Sequence, residues 1–285
     1  MTQYIEIERY LEELIEEGKY NEAISIANWE INQSKDRNLM ALLLYEKGKA
    51  LYFSGDQMGA MESIKQAHSL VDDMEESDSK YEMLFHIAGL YLMAGDMENS
   101  KRMYHTVLGN LPENNHFYLA SLHNIGEIYK REDDLKNAEK YFTRCYNLSV
   151  KHGDNFMAAY SAENLAELYA VKGDRKKSEE WLKIALPLSR KAGENRLVPL
   201  IDLALRMLKG EKNEYILERV EEIKRLGTHH AHDMADMLLI FSVLLKREDA
   251  IKYVKEAILI YSEIGDGYME KKGIEYLETL EKEGK

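Results

Sequence analysis

Between Leu119 and Val150 the apolar residues fall on two helical stripes. Leu122, Ile125, Gly126 and Tyr129 recur at three- and four-residue steps. The polar run Arg131 to Asp134 interrupts them. Leu135, Ala138, Phe142, Cys145 and Leu148 then form a second stripe. This pattern predicts two amphipathic helices joined by a short turn. Gly126 and Ala138 are small enough to let two backbones approach, with Tyr129 and Phe142 filling the space beside them. A lone helix pair cannot bury both stripes, so each pair must stack on its neighbours.

The same phrase recurs along the chain. A small residue is followed by a tyrosine, then by Gly-Asp or a substitute, then by Ala or Ser. The copies are Gly48…Tyr52…Gly55-Asp56…Ala60, Ala88…Tyr91…Gly95-Asp96…Ser100, Gly126…Tyr129…Asp133-Asp134…Ala138 and Ala166…Tyr169…Gly173-Asp174…Ser178. Partial matches stand at Gly18-Lys19-Tyr20…Ala23 and at Lys246 to Ala250. From Gly18 to Gly55, Gly95, Asp133 and Gly173 the steps are 37, 40, 38 and 40 residues. Periods of this kind mark repeat architectures. The stretch Arg196–Leu226 keeps the two-helix pattern but lacks the motif glycine and turn, and reads as a degenerate copy.

Composition narrows the choice. In 285 residues there are 17 glycines and 3 prolines, too few breakers for a sandwich or barrel. The net charge of −13 argues against nucleic-acid binding by the bulk surface. A single cysteine excludes an intramolecular disulfide framework and a multi-cysteine metal site. The segment Met1–Gly18 is acidic and amphipathic, unlike a secretory signal. Met234–Leu245, the most apolar stretch, is shorter than the ~20 residues a membrane span needs. A cytoplasmic location is expected.

Catalytic signals are weak. His229, His230, His232 and Asp233 form a conspicuous cluster, which reads better as a polar turn and helix start than as a metal site. Neither a nucleophile elbow nor a phosphate-binding loop occurs. Cys145 lies on a buried stripe and reads as a packed thiol. Paired acids such as Asp72-Asp73, Glu75-Glu76 and Asp133-Asp134 read as solvated helix ends. No enzyme activity, cofactor or metal is expected.

The recurring residues resemble the tetratricopeptide (TPR) motif; Ile125-Gly126…Tyr129…Ala138…Phe142 carries the likeness, and Pro112 stands where that motif places its proline. The resemblance implies an all-α, right-handed TPR superhelix, one solenoid domain over 1–285. It would hold about seven helix pairs, near 4–35, 41–74, 81–112, 119–151, 159–192, 197–226 and 231–263, with a capping helix at 268–283.

In such arrays the first helix of each pair lines a concave groove. Two residues before the motif's small residue stand Arg9, Glu46, His86, Asn124, Asn164, Asp202 and Asp236, all polar within apolar helices. With the flanking columns, the resemblance implies a peptide site at Tyr45, Lys49, His86, His123, Asn124, Glu127, Lys130, Tyr160, Glu163, Asn164 and Glu167. An asparagine amide can pair with both the N–H and the C=O of an extended backbone. It can equally face solvent in the groove without a ligand. Glu127, Glu163 and Glu167 could pair with an arginine of a peptide, or be ordinary helix formers on a solvated face.

The pattern is similar to the TPR domains of Gram-positive peptide receptors of the Rap, NprR and PlcR type. Their N-terminal effector domains have no counterpart before the helix pair that starts at Tyr4, so phosphatase activity and DNA binding are not expected. The partner is then a short peptide or an extended segment of a partner protein, with no nucleic acid and no membrane. The alternative is an assembly scaffold that docks folded partners or forms a homodimer, for which the apolar run Met237–Phe241 offers a surface.

Overall fold

The computed structural model describes residues 2–282, without the side chains of residues 2–5, 228 and 229. Among the described residues there are fifteen α-helices and no strand. In chain order they are α1 (Thr2–Glu16), α2 (Tyr20–Gln33), α3 (Arg37–Phe53), α4 (Gln57–Asp72), α5 (Asp78–Met93), α6 (Met97–Asn110), α7 (His116–Arg131) and α8 (Leu135–His152). There follow α9 (Asn155–Val171), α10 (Arg175–Ala192), α11 (Leu197–Lys209), α12 (Asn213–Lys224), α13 (Thr228–Ser242), α14 (Arg247–Ile264) and α15 (Gly267–Lys282). The fold is an all-α array of seven helix pairs and a fifteenth helix. No described helix is long and apolar enough to cross a membrane. The chain forms two compact units, residues 1–132 and 133–285.

The Gly-Asp pairs set the helix boundaries. Gly55, Gly95 and Gly173 adopt φ of 89°, 83° and 75°. In that left-handed conformation each glycine ends its helix, and the next amide reaches back: Asp56 to the Leu51 carbonyl at 2.9 Å, Asp96 to Tyr91 at 2.8 Å, Asp174 to Tyr169 at 2.9 Å. The aspartate then opens the following helix. Asp56, Asp96, Asp134 and Asp174 accept from the amides of Gly59, Asn99, Asn137 and Lys177 at 2.9–3.1 Å. Each such cap stabilises its helix by ~1 kcal/mol. Asp133 takes the glycine's place with φ of 59°, a conformation that costs a residue with a Cβ ~1 kcal/mol.

In unit 1, small residues bring backbones together. A Cβ on Gly48 would lie 3.3 Å from the Leu90 side chain and 3.8 Å from the Ala60 carbonyl oxygen. Leu11, Leu14, Ala23, Ala27, Leu43 and Ala50 form one buried cluster, and Ile64, Ile87, Tyr104 and Leu122 are buried further along. Burial of each large side chain contributes ~2 kcal/mol. At the end of α7, Lys101 from α6 meets Glu132 at 2.8 Å and lies 4.6 Å above the Tyr129 ring.

In unit 2 the equivalent contact has its charges reversed. Glu139 on α8 accepts from the Tyr169 hydroxyl and from Lys172, beyond the end of α9. Ala162, Ala166, Leu182 and Ala185 are fully buried where α9 and α10 meet. The Ser178 hydroxyl donates to the Ala166 carbonyl at 2.9 Å.

The degenerate pair α11–α12 is built differently. Neither Arg196 nor Lys212, the residues before these helices, makes a side-chain cap. Nine of the thirteen α11 residues are buried, most of them large aliphatics. Arg175, first residue of α10, donates to the Leu208 carbonyl and at 3.1 Å to the Leu244 carbonyl, closing the C-terminal ends of α11 and α13. Asn213 at the start of α12 donates to Asp249 at 3.1 Å and accepts from the Tyr253 hydroxyl. The run Met237–Phe241, expected as a dimerising surface, is instead core: Met237, Leu238 and Phe241 are buried. Cys145 is a buried thiol, 3.8 Å from the Ser149 hydroxyl, as its stripe position implies.

Candidate functional site

In unit 1 the first helices α1, α3, α5 and α7 pack in succession. Arg9, Glu46, His86 and Asn124 occupy their common column. Glu46 is 1% exposed, yet it is a carboxylate. Lys49 pairs with it at 3.0 Å and with Glu12 of α1 at 3.3 Å. Burial pushes the Glu46 pKa up to about 7, against the opposing pull of Lys49. The protonated form is therefore favoured by folding. That contribution is complete below the ordinary carboxylate pKa and is lost as pH rises through about 7.

Aromatic rings surround this pair. Lys49 lies 5.1 Å above the Tyr45 ring. Burial, reinforced by Glu46, raises the Tyr45 phenol pKa. His86 stands 5.4 Å from both the Tyr45 and Phe117 rings. Burial drives its pKa down to about 4, so the imidazole is neutral at pH 7. Phe85 packs at 5.5 Å from Tyr104 and 5.2 Å from Phe117.

Asn124 joins the cluster through Tyr104. Its Nδ2 donates to the Tyr104 hydroxyl at 2.8 Å. His123, Glu127 and Lys130 lie along the same helix, one turn apart. Burial depresses the His123 pKa to about 4. For Glu127, burial works upward, but Lys130 at 3.1 Å, with His123 and Arg131, brings the pKa below its ordinary value.

Unit 1 thus unites Tyr45, Lys49 and His86 directly, and Asn124 through the Phe85–Tyr104 contact. Two participants escape a reading of the sequence. Glu12 lies on α1, whose phrase is only partial. Phe117 precedes the expected start of its repeat, because α7 begins at His116 behind the Asn115 cap. That Asn cap before an aromatic run was the available signal.

In unit 2, Glu163, Asn164 and Glu167 are all less than 10% exposed on α9. The Asn164 Nδ2 donates to the Tyr160 carbonyl one turn back at 3.3 Å. Tyr160 packs 4.7 Å from Phe156, and burial together with Glu194 pushes its pKa up to about 12. The column continues with Asp202, 2.7 Å from Arg206, and with Asp236. Asp236 accepts from the Tyr261 hydroxyl at 2.6 Å and faces His232 at 3.5 Å. Burial pushes its pKa up to about 6; Tyr261 and His232 oppose the rise, while Glu167 and Asp233 add to it.

The histidine cluster resolves into separate roles. His232 links Asp236 to Asp266, the latter at 3.1 Å, and Asp233 pairs with Arg196. The side chain of His229 lies outside the described residues. Among the described residues no group of three or more His, Cys, Asp or Glu is arranged to hold a metal.

Comparison with known proteins bears on the fold. The tetratricopeptide repeat family matches residues 121–155, covering α7 and α8. The apo form of RapI is similar over 93% of this chain and 100% of its own, at 13% identity and a TM-score of 0.69. Aspartyl phosphate phosphatase F from Bacillus subtilis is similar over 98% of this chain and 70% of its own, at 13% identity and a TM-score of 0.67. The Rap conjugation gene regulator of plasmid pLS20, solved with the Phr* peptide, is similar over 90% and 73%, at 12% identity and a TM-score of 0.64. No curated protein matches the sequence. The chain therefore carries a TPR motif within the helical-repeat fold that the Rap proteins share.

Proposed function

We propose that this chain is a non-enzymatic protein-interaction module that binds an extended peptide segment along the polar faces of its first helices. The observation that carries the reading is the column of polar residues inside apolar helices. Glu46, His86 and Asn124 hold it in unit 1; Asn164, Asp202 and Asp236 hold it in unit 2. Burying such groups is costly unless they are paired. A polar residue at this place in six first helices, three in each unit, implies a use for polar chemistry there.

Asn124 is the best-placed reader of a peptide main chain. It uses one N–H on Tyr104 and keeps its carbonyl and second N–H without a partner among the described residues. Those two groups match the C=O and N–H of an extended backbone. The rings of Tyr45, His86 and Phe117, linked to it through Tyr104 and Phe85, offer apolar contact with polar edges. The complex of the pLS20 Rap regulator with a peptide lends the same fold a precedent. The self-association alternative loses its candidate surface with the burial of Met237, Leu238 and Phe241.

The test is thermal stability of the pure protein against a pool of short peptides, including arginine-bearing ones. A ligand at 100 times its Kd adds ~2.7 kcal/mol to stability, a rise of several degrees in Tm. The expected hit is lost in the Asn124→Ala/Asn164→Ala double variant. No shift across the pool, or a hit indifferent to both substitutions, sinks the proposal.

A further inference from the structure

Two second helices of unit 2, α8 and α10, are strongly basic in an acidic protein. Helix α8 holds four lysines and arginines against one glutamate; α10 holds six against two. Together they carry +7, within a chain of net charge −13. Everything else therefore sums to −20. Tyr146 of α8 and Trp181 of α10 meet edge to face at 5.0 Å, so the two helices lie side by side. Both also pack on α9.

The cations are on the solvent side. Lys136, Lys140 and Arg144 follow one another at four-residue steps along α8, and all are exposed. Lys176, Lys183 and Arg190 repeat at seven-residue steps along α10 and are exposed too. Several of these charges lack an ion-pair partner. Lys136, Lys140, Arg190 and Lys191 make no ion pair among the described residues. Lys176 is 88% exposed and approaches Glu180 only at 3.9 Å.

Local helix chemistry accounts for Lys151, Arg190 and Lys191, which lie in last turns, but not for the cations that open α10. Cations are unfavourable in the first turn of a helix, where the backbone dipole is positive. Yet α10 opens with Arg175-Lys176-Lys177 and no acid in its first turn. Arg175 has the carbonyls of α11 and α13 to serve, and Lys177 has Asp174 at 3.8 Å. Lys176 has no comparable role.

We propose that the exposed face of α8 and α10 is a docking surface for an acidic segment of a different protein. Each helix spans 18 residues, about 27 Å, room for an acidic helix or strand lying along them. Complementary potential of this kind directs encounter and fixes register. A membrane surface fits poorly, because an interfacial helix needs large apolar anchors beside its cations. The exposed apolar residues here are Val150 and Pro187. A nucleic acid fits poorly as well, since a polyanion extending past this face meets the −20 of the remaining chain.

The test uses the full chain and a fluorescein-labelled glutamate-rich peptide, with anisotropy read at low and high salt. Two variants are compared. One reverses the face, Lys136→Glu/Lys140→Glu/Lys176→Glu/Arg190→Glu. The other makes two reversals elsewhere, Lys271→Glu/Lys282→Glu on α15. A thermal melt checks that both remain folded. The expected result is salt-sensitive binding that weakens at least tenfold in the first variant and less than twofold in the second.

Several results would overturn the proposal. These are absence of peptide binding at low salt, retained binding in the face variant, or equal loss in both variants. Tighter binding of duplex DNA or of anionic vesicles than of the peptide would assign the face to another class of partner. Sedimentation showing self-association lost with the face variant would assign it to a second copy of this chain.

Discussion

Helix pairs α9–α10 and α11–α12 are neighbours in the chain but are held by different means. The first is stitched through small residues. Ala162, Ala166 and Ala185 let its backbones come close, and Ser178 bonds directly to the Ala166 carbonyl. Gly173 and Asp174 close one helix and open the next. The second pair keeps one small residue, Ala204, among large aliphatic side chains, and has no side-chain caps. Its ends are secured from outside, by Arg175 on one side and by Asp249 and Tyr253 on the other. Motif residues thus mark where backbones must approach. Where they are missing, volume and borrowed polar contacts serve instead, and neighbouring pairs become necessary.

This difference can be broken at graded levels. The largest effect is expected from Ala166→Leu, which forces volume into the tight α9–α10 contact. Overpacking of this kind costs ~3 kcal/mol, read as a lower urea midpoint. Arg175→Met should cost ~2 kcal/mol by leaving carbonyls of two helix ends without their charged donor. Hydrogen exchange should then accelerate in α11 and α12 before it does in α9. Should α9 exchange first, α11–α12 would not depend on Arg175.

Caps give a smaller and reciprocal effect. Asp174→Ala should cost ~1 kcal/mol, while Lys212→Ser should add ~0.5 kcal/mol by supplying the cap that α12 lacks. Equal and negligible effects on Tm would show that caps do not distinguish the two pairs. Smallest of all, Asp133→Gly should add about 0.5 kcal/mol by relieving the left-handed conformation. The same change at a turn that already holds glycine is not available, so Gly173→Asp serves as the converse, with a loss of similar size.

Much of the architecture was legible because the TPR phrase ties sequence to backbone geometry. A glycine, an aspartate and a small residue at fixed offsets dictate turn, cap and close approach together, as Gly95, Asp96 and Ala88 illustrate. Polar positions inside apolar helices were equally readable, Glu46 and Lys49 among them. Contacts between distant segments were not. Nothing local announces that Arg175 reaches the ends of α11 and α13, or that Glu12 shares Lys49. The apolar run Met237–Phe241 misled for the same reason: hydrophobicity shows that a segment is buried, not against what. Phe117 was hidden by a boundary placed three residues late, where the Asn115 cap had extended the helix.

The reversed pair of contacts, Lys101 with Glu132 and Glu139 with Lys172, bears on how such a chain can grow. Repeat arrays are often imagined as interchangeable modules that duplication can copy at will. Here two junctions carry opposite polarity. A copy of α6 inserted ahead of α9 would confront Lys101 with Lys172, and a copy of α8 ahead of α7 would confront Glu139 with Glu132. The order of these modules is written into their edges. A shuffled descendant would need a compensating charge change before it could settle into the same stack.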